Sequence, residues 1–217
     1  MHRQQSLILV VDYFGMLDLT DDIKKLHKHG TTVILDKVQA LFQEETFDAD
    51  YWFSGFRKFL PTYEGAFAYS KEGEIDPPKE QCSWSLLKAL GGLVKYSSSY
   101  SDLVDESYLR LFEIADKQLD DLFESNCASQ LICYTLKALD IPSIRRKRQQ
   151  NYLILSELLK ERGMMQFVFS EVSDPAPLSL PIAIENRDKV RAQLMQQKIY
   201  LPIHWVSESQ SRLSSFA

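Results

Sequence analysis

Two runs decide the fold class of this chain, the apolar run Leu7-Ile-Leu-Val-Val11 and the β-branched run Thr31-Thr-Val-Ile-Leu35. A continuous apolar run of this length is typical of a strand that is buried on both faces of a parallel sheet. The residues between the two runs predict a short helix, because Thr20 opens a polar, acidic turn and Gly30 follows as a terminating residue. Strand, helix and strand in this order form a βαβ unit, which places the chain in the α/β class.

The remainder of the chain predicts a second, smaller unit after the sheet. We expect two further strands, 51–53 and 66–69, then helices from Trp84 onward, with a long helix from Ile144 to Arg162. Beyond that helix, the pattern predicts strands at 166–170, 178–184 and 199–205 and a helix over 186–197. We therefore predict a portion of a large domain over residues 1–141 and a small α+β C-terminal domain over residues 142–217.

Composition excludes several classes of function. The net charge of −5 gives no electrostatic basis for nucleic-acid binding, and we interpret the basic group 145–148 as a solvated helix face. The first apolar run is too short to span a membrane, and no longer run follows, so a soluble, cytoplasmic protein is expected. Three cysteines without a CxxC pair, and four histidines that do not cluster with them, predict reduced thiols and no metal site.

Chemistry-bearing residues follow the predicted strands. Asp36 ends the second strand, Ser54 ends the next one, and Lys58 lies in the loop beyond it. Ligands of open α/β sheets bind beyond the carboxyl ends of the strands, so these side chains could share one crevice. On spacing alone, a salt bridge and a surface lysine explain the same residues, and spacing alone favours that interpretation.

Four segments in order resemble one known family. They are residues 33–41 (VILDKVQAL), 52–66 (WFSGFRKFLPTYEGA), 144–152 (IRRKRQQNY) and 181–205, which ends in a Pro-x-His-Trp strand. Together they resemble the DegT/DnrJ/StrS group of pyridoxal-phosphate (PLP) dependent sugar aminotransferases, which have fold type I. The resemblance implies an α/β, fold-type I PLP-transferase-like architecture with a mainly parallel sheet flanked by helices.

The resemblance assigns the central chemistry to Lys58 and Asp36. Lys58 matches the lysine that binds PLP as a Schiff base and then moves a proton between the substrate carbon and the cofactor. Asp36 matches the carboxylate that keeps the pyridine nitrogen protonated, which makes the ring an electron sink. We expect both side chains to face one cavity at the carboxyl edge of the sheet.

Four further residues receive roles from the same resemblance. Gln39 would pack on or hydrogen-bond the cofactor, and Ser54 would bind its phosphate. His204 and Trp205 would line the sugar site, although a core tryptophan and a hydrogen-bonded histidine explain them equally well. No residue is predicted to bind a metal.

The activity implied by the family is amino transfer to a nucleotide-linked keto sugar, with glutamate or glutamine as donor, in polysaccharide or lipopolysaccharide sugar biosynthesis. A homodimer with its active site at the interface is implied too. Family enzymes are longer at both ends, so we also keep the hypothesis that the chain is a truncated, non-catalytic remnant of such an enzyme that acts by association. A sugar dehydratase of the same family would lack the lysine, and a plain α/β binding module follows if the matches are accidental.

Overall fold

The computed structural model describes residues 6–78, 84–97, 102–121, 127–163, 166–167 and 176–203. Four strands form one sheet in sequence order: β1 (Ser6–Val11), β2 (Thr31–Asp36), β3 (Tyr51–Gly55) and β4 (Ala66–Ser70). The β1–β2 and β2–β3 pairs are parallel, and β4 returns antiparallel to β3. The α/β class and the mainly parallel sheet predicted from the sequence are confirmed.

Helix α1 (Thr20–Lys28) connects β1 to β2 and covers one face of the sheet. Burial alternates along β2 because of this packing, since Val33 and Leu35 are fully buried while Ile34 between them is half-buried. Ile23 of α1 completes this core together with residues from the β2–β3 loop. Gly30 has a φ of +74°, the left-handed conformation that a glycine adopts without strain after a helix.

Four helices follow the sheet: α2 (Trp84–Ser97), α3 (Asp102–Asp120), α4 (Gln130–Ala138) and α5 (Ile141–Glu161). Helices α4 and α5 begin at side-chain caps, because Ser129 accepts a hydrogen bond from the Ile132 amide and Asp140 accepts one from the Ser143 amide. The predicted long helix is confirmed, and it starts slightly earlier than the sequence pattern indicated.

The loops at the carboxyl ends of the strands pack beneath α5. Phe42 and Phe59, from the loops after β2 and β3, share a buried cluster with Ala176. Phe14, from the loop after β1, shares another with Tyr152 of α5. Helix α5 and the segment near residue 176 therefore cover part of this edge of the sheet. The division into domains at residue 141 stays a prediction.

Strand β1 is more exposed than the sequence predicted. It was predicted to be buried on both faces, yet Leu7 is 64% exposed and Leu9 is 56% exposed. Within the described residues the strand pairs only with β2, and the face carrying Leu7 and Leu9 has little cover there. An apolar run indicates a preference for burial, but it does not say which element provides it.

The C-terminal part is simpler than predicted. Strands β5 (Gln166–Phe167) and β6 (Ile182–Ala183) form an antiparallel pair, and α6 (Arg187–Gln196) follows. The predicted strand at 199–205 is absent over 199–203, where the backbone is irregular, and its last two residues lie outside the described residues. Among the helices that the structure describes, none combines the length and apolar character needed to cross a bilayer.

The basic group at 145–148 is only partly the solvated face that was predicted. Arg146 and Lys147 are exposed, whereas Arg145 and Arg148 are half-buried. The Arg148 guanidinium lies 4.7 Å from the centre of the Phe59 ring and donates to the carbonyl oxygens of Pro177 and Leu178. Arg148 thus connects α5 to the loop after β3 and to the segment that begins at residue 176.

Candidate functional site

Asp36 lies at the carboxyl end of β2, an interior strand of the sheet. Its side chain is half-buried, and its Oδ1 accepts a hydrogen bond of 2.8 Å from the Val38 amide. This bond to the backbone two residues ahead fixes the carboxylate at the start of the loop. Within the described residues the second oxygen, Oδ2, has no hydrogen-bond donor, so it could accept one from a ligand.

Gln39 and Lys58 lie in the loops after β2 and β3. Gln39 is half-buried, and its Oε1 is enclosed without a hydrogen-bond partner in the described part of the chain. A buried acceptor without a donor is unusual in a folded protein and is often completed by a ligand or a water molecule. Lys58 is exposed, and no described residue pairs with its amine.

Ser54 occupies a different environment from the one expected. It is 1% exposed, and its Oγ donates to the Lys37 carbonyl oxygen at 2.8 Å. The strand register pairs Asp36 with Phe53, and neighbouring residues of a strand point to opposite faces. The side chains of Ser54 and Asp36 therefore leave the sheet on opposite faces, and the Ser54 hydroxyl already has a structural partner.

A buried charge pair that the sequence analysis missed lies at the same edge. Asp12 follows β1 and is fully buried, and Lys37 follows β2 and is 3% exposed. The Lys37 Nζ donates to the carbonyl oxygens of Gln43 at 2.5 Å and Glu45 at 2.7 Å. One sequence signal could have indicated the pair, because Asp12 and Lys37 each directly follow a strand and neighbouring parallel strands end at the same edge of a sheet.

Burial perturbs the ionisation of both members of this pair. The pKa of Asp12 is raised from its ordinary value of 3.8 to about 6, because burial disfavours the carboxylate more than the Lys37 ammonium and nearby backbone amides favour it. Neither carboxylate oxygen has a hydrogen-bond partner of normal geometry in the described residues. Burial likewise lowers the pKa of Lys37, partly offset by Asp12 and Glu45.

The remaining predicted positions are not tested by the geometry. His204 and Trp205 lie outside the described residues. Over the described ranges, no three histidine, cysteine, aspartate or glutamate side chains are grouped as metal ligands.

The fold defines this chain as an α/β protein with a mixed, mostly parallel sheet flanked by helices. No family model matches its sequence, and no curated protein matches it. Among solved structures it is similar to a DegT DnrJ EryC1 StrS aminotransferase from Brucella abortus, at 15% identity and a TM-score of 0.48, over 95% of this chain and 52% of that one. It is also similar to a NifS-like protein, at 16% identity and a TM-score of 0.43, over 92% of this chain and 50% of that one.

The chain therefore spans about half the length of each of these two proteins. Membership of the DegT/DnrJ/StrS family, which the sequence motifs predict, stays a prediction.

Proposed function

We propose that this chain is a PLP-dependent, aminotransferase-like protein that acts on a nucleotide-linked keto sugar, with glutamate or glutamine as amino donor. The observation that carries the proposal is the placement of Asp36 at the carboxyl end of an interior parallel strand, with one carboxylate oxygen anchored and the other unpaired. The motif around Lys58 adds to it, since it resembles the lysine segment of that family. The sugar class and the amino donor rest on the resemblance alone.

Three of the four predicted cofactor residues fit PLP. The unpaired oxygen of Asp36 suits a protonated ring nitrogen, the buried Oε1 of Gln39 lacks a donor, and the Lys58 amine is exposed and unpaired in the described part of the chain. Ser54 fits less well as a phosphate ligand, because its hydroxyl donates to the Lys37 carbonyl oxygen. The phosphate would need donors other than this hydroxyl.

Asp36 and Lys58 have defined tasks in the proposed reaction. When bound, PLP supplies the electron sink that stabilises negative charge on the substrate carbon. Asp36 holds a proton at the ring nitrogen, because a carboxylate beside that nitrogen favours its protonated form. The Lys58 amine would hold the cofactor, and as a free amine it would accept a proton from the substrate carbon.

A titration with PLP tests the proposal. We expect a new absorbance band that saturates for the unaltered chain, is absent in Lys58→Ala, and persists in Lys24→Ala, a matched change at an exposed lysine of α1. Asp36→Asn is expected to keep part of the band and to lose turnover with a keto-sugar nucleotide, because an amide cannot hold the ring nitrogen protonated. An equal band in Lys58→Ala would contradict the assignment of the lysine.

A second candidate function is favoured by one observation. Leu7 and Leu9 of β1 are more than half exposed in the described structure, and exposed apolar residues on an edge strand favour association. This feature suits a non-catalytic protein that acts by binding another chain, including a homodimer. Sedimentation together with a transamination assay separates the two candidates, since only the first requires turnover.

A further inference from the structure

A cleft of about 390 Å³ lies between the loop after β3 and the helical pair α2 and α3. Its volume is within the range of small-molecule sites in proteins. Arg57 and Thr62 line it from the loop, Lys88 from α2 and Asp116 from α3. Lys58 is not one of the lining residues, so this cleft is separate from the amine proposed above to hold the cofactor.

The charges in the cleft favour an anion. The Lys88 side chain is 9% exposed and forms an ion pair with Asp116, whose side chain is 56% exposed. Arg57 is exposed, and no described residue pairs with its guanidinium. Two cations thus face one carboxylate. A guanidinium presents several donors in a planar arrangement that matches phosphate and carboxylate oxygens.

Thr62 is a buried residue of the loop that borders the cleft. It is 7% exposed, and its Oγ1 is buried with no hydrogen-bond partner among the described residues. Its backbone amide is satisfied, since it donates to the Leu60 carbonyl oxygen at 2.8 Å. A buried hydroxyl without a partner destabilises a fold, and because this Oγ1 has almost no surface open to the cleft, it is not available to a ligand there.

The apolar side of the cleft is shaped by two adjacent glycines of α2. A Cβ on Gly91 would lie 2.8 Å from Cε1 of Phe112, and the Tyr63 hydroxyl lies where a Cβ of Gly92 would stand. Both aromatic residues line the cleft, together with Leu60 and Pro61. The absence of side chains on the glycines therefore lets two rings approach the helix and form an apolar wall.

We propose that this cleft binds a small organic anion, in which a phosphate or carboxylate group is attached to a flat apolar body. Arg57 contacts the charged group, and the wall containing Phe112 packs against the body. The proposal does not depend on PLP binding at Lys58.

Calorimetric titration of the full chain with three probes tests this site. Phenyl phosphate and phenylacetate carry the two possible charged groups, and benzyl alcohol is the neutral comparator. We expect one or both anions to bind and the alcohol not to bind. The stronger anion identifies the charged group.

Two variants connect that binding to the cleft. Arg57→Gln is expected to weaken binding about tenfold or more, the loss typical of a charge-assisted hydrogen bond. Arg146→Gln removes an exposed arginine of α5 and is expected to leave binding unchanged.

Three results would overturn the proposal. They are binding of neither anion, equal binding of benzyl alcohol, and unchanged anion binding in Arg57→Gln. Because Arg57 is exposed, its substitution should leave the fold intact, and an unaltered unfolding transition confirms this.

Discussion

Replacing Asp12 by asparagine is expected to stabilise the folded chain near neutral pH and to stabilise it much less in mild acid. Asp12 is fully buried, and its carboxylate oxygens lack normal hydrogen bonds in the described residues. Asparagine has nearly the same shape as the protonated acid but carries no charge. The substitution therefore removes the cost of burying a carboxylate while preserving the packing.

The magnitude follows from the raised pKa of Asp12. A difference of one in a pKa corresponds to about 1.4 kcal/mol, so the change from 3.8 to about 6 corresponds to about 3 kcal/mol. Because the folded state binds this proton more tightly than the unfolded state, stability is highest at low pH and falls as the pH rises from about 4 to about 6. Above about pH 6 the full cost of burying the Asp12 carboxylate applies, and Asp12→Asn should raise the free energy of unfolding by up to about 3 kcal/mol.

Urea unfolding at about pH 4.5 and about pH 7.5 measures this effect. The control is Asp76→Asn, the same chemical change at an exposed aspartate, which should change the free energy of unfolding equally little at both pH values. A loss of stability in Asp12→Asn at the higher pH would refute the reasoning. It would show that attraction to the Lys37 ammonium outweighs the cost of burial.

Two further substitutions test the packing of the sheet and its turns. Leu35→Ala should lower the free energy of unfolding by about 2–5 kcal/mol because it opens a cavity in the core, whereas Leu109→Ala at a position 55% exposed should have a much smaller effect. Gly65→Ala should cost at least about 1–2 kcal/mol, because Gly65 has a φ of +95° and a Cβ would lie 2.8 Å from Phe56 Cδ2. Gly73→Ala is the control for Gly65→Ala, because a Cβ at Gly73 would meet nothing within 4 Å. Urea unfolding measures the stability of all four variants. An equal loss within either pair would contradict the packing described here.

The four strands of the sheet could be predicted from the sequence because their signals are local. An apolar run predicted β1 and a β-branched run predicted β2. The polar, acidic turn that begins at Thr20 and the terminating Gly30 predicted the helix between them. What could not be predicted was how each element is covered. Burial of β1 on both faces was wrong, because an apolar run gives no information about whether β1 has a neighbour on its second edge or a layer on its second face.

The candidate site could be predicted only in part, for a related reason. Asp36 is at a strand end, as predicted, because that follows from the strand boundary alone. The environment of Ser54 depends on strand register, so it could not be predicted from the position of Ser54 in the sequence. Asp12 and Lys37 were overlooked because an aspartate and a lysine at strand ends are normally exposed to solvent. In this chain the strand register and the enclosing loops bury both side chains.

Covalent trapping of PLP on Lys58 tests the central claim most directly. The full chain is incubated with PLP, reduced with borohydride, digested and analysed by peptide mass spectrometry, with Lys24→Ala treated in parallel. The account predicts that the pyridoxyl mass increase is concentrated on the peptide containing Lys58 in both chains. A label spread in proportion to exposure over the lysines, or concentrated on a peptide without Lys58, would contradict it.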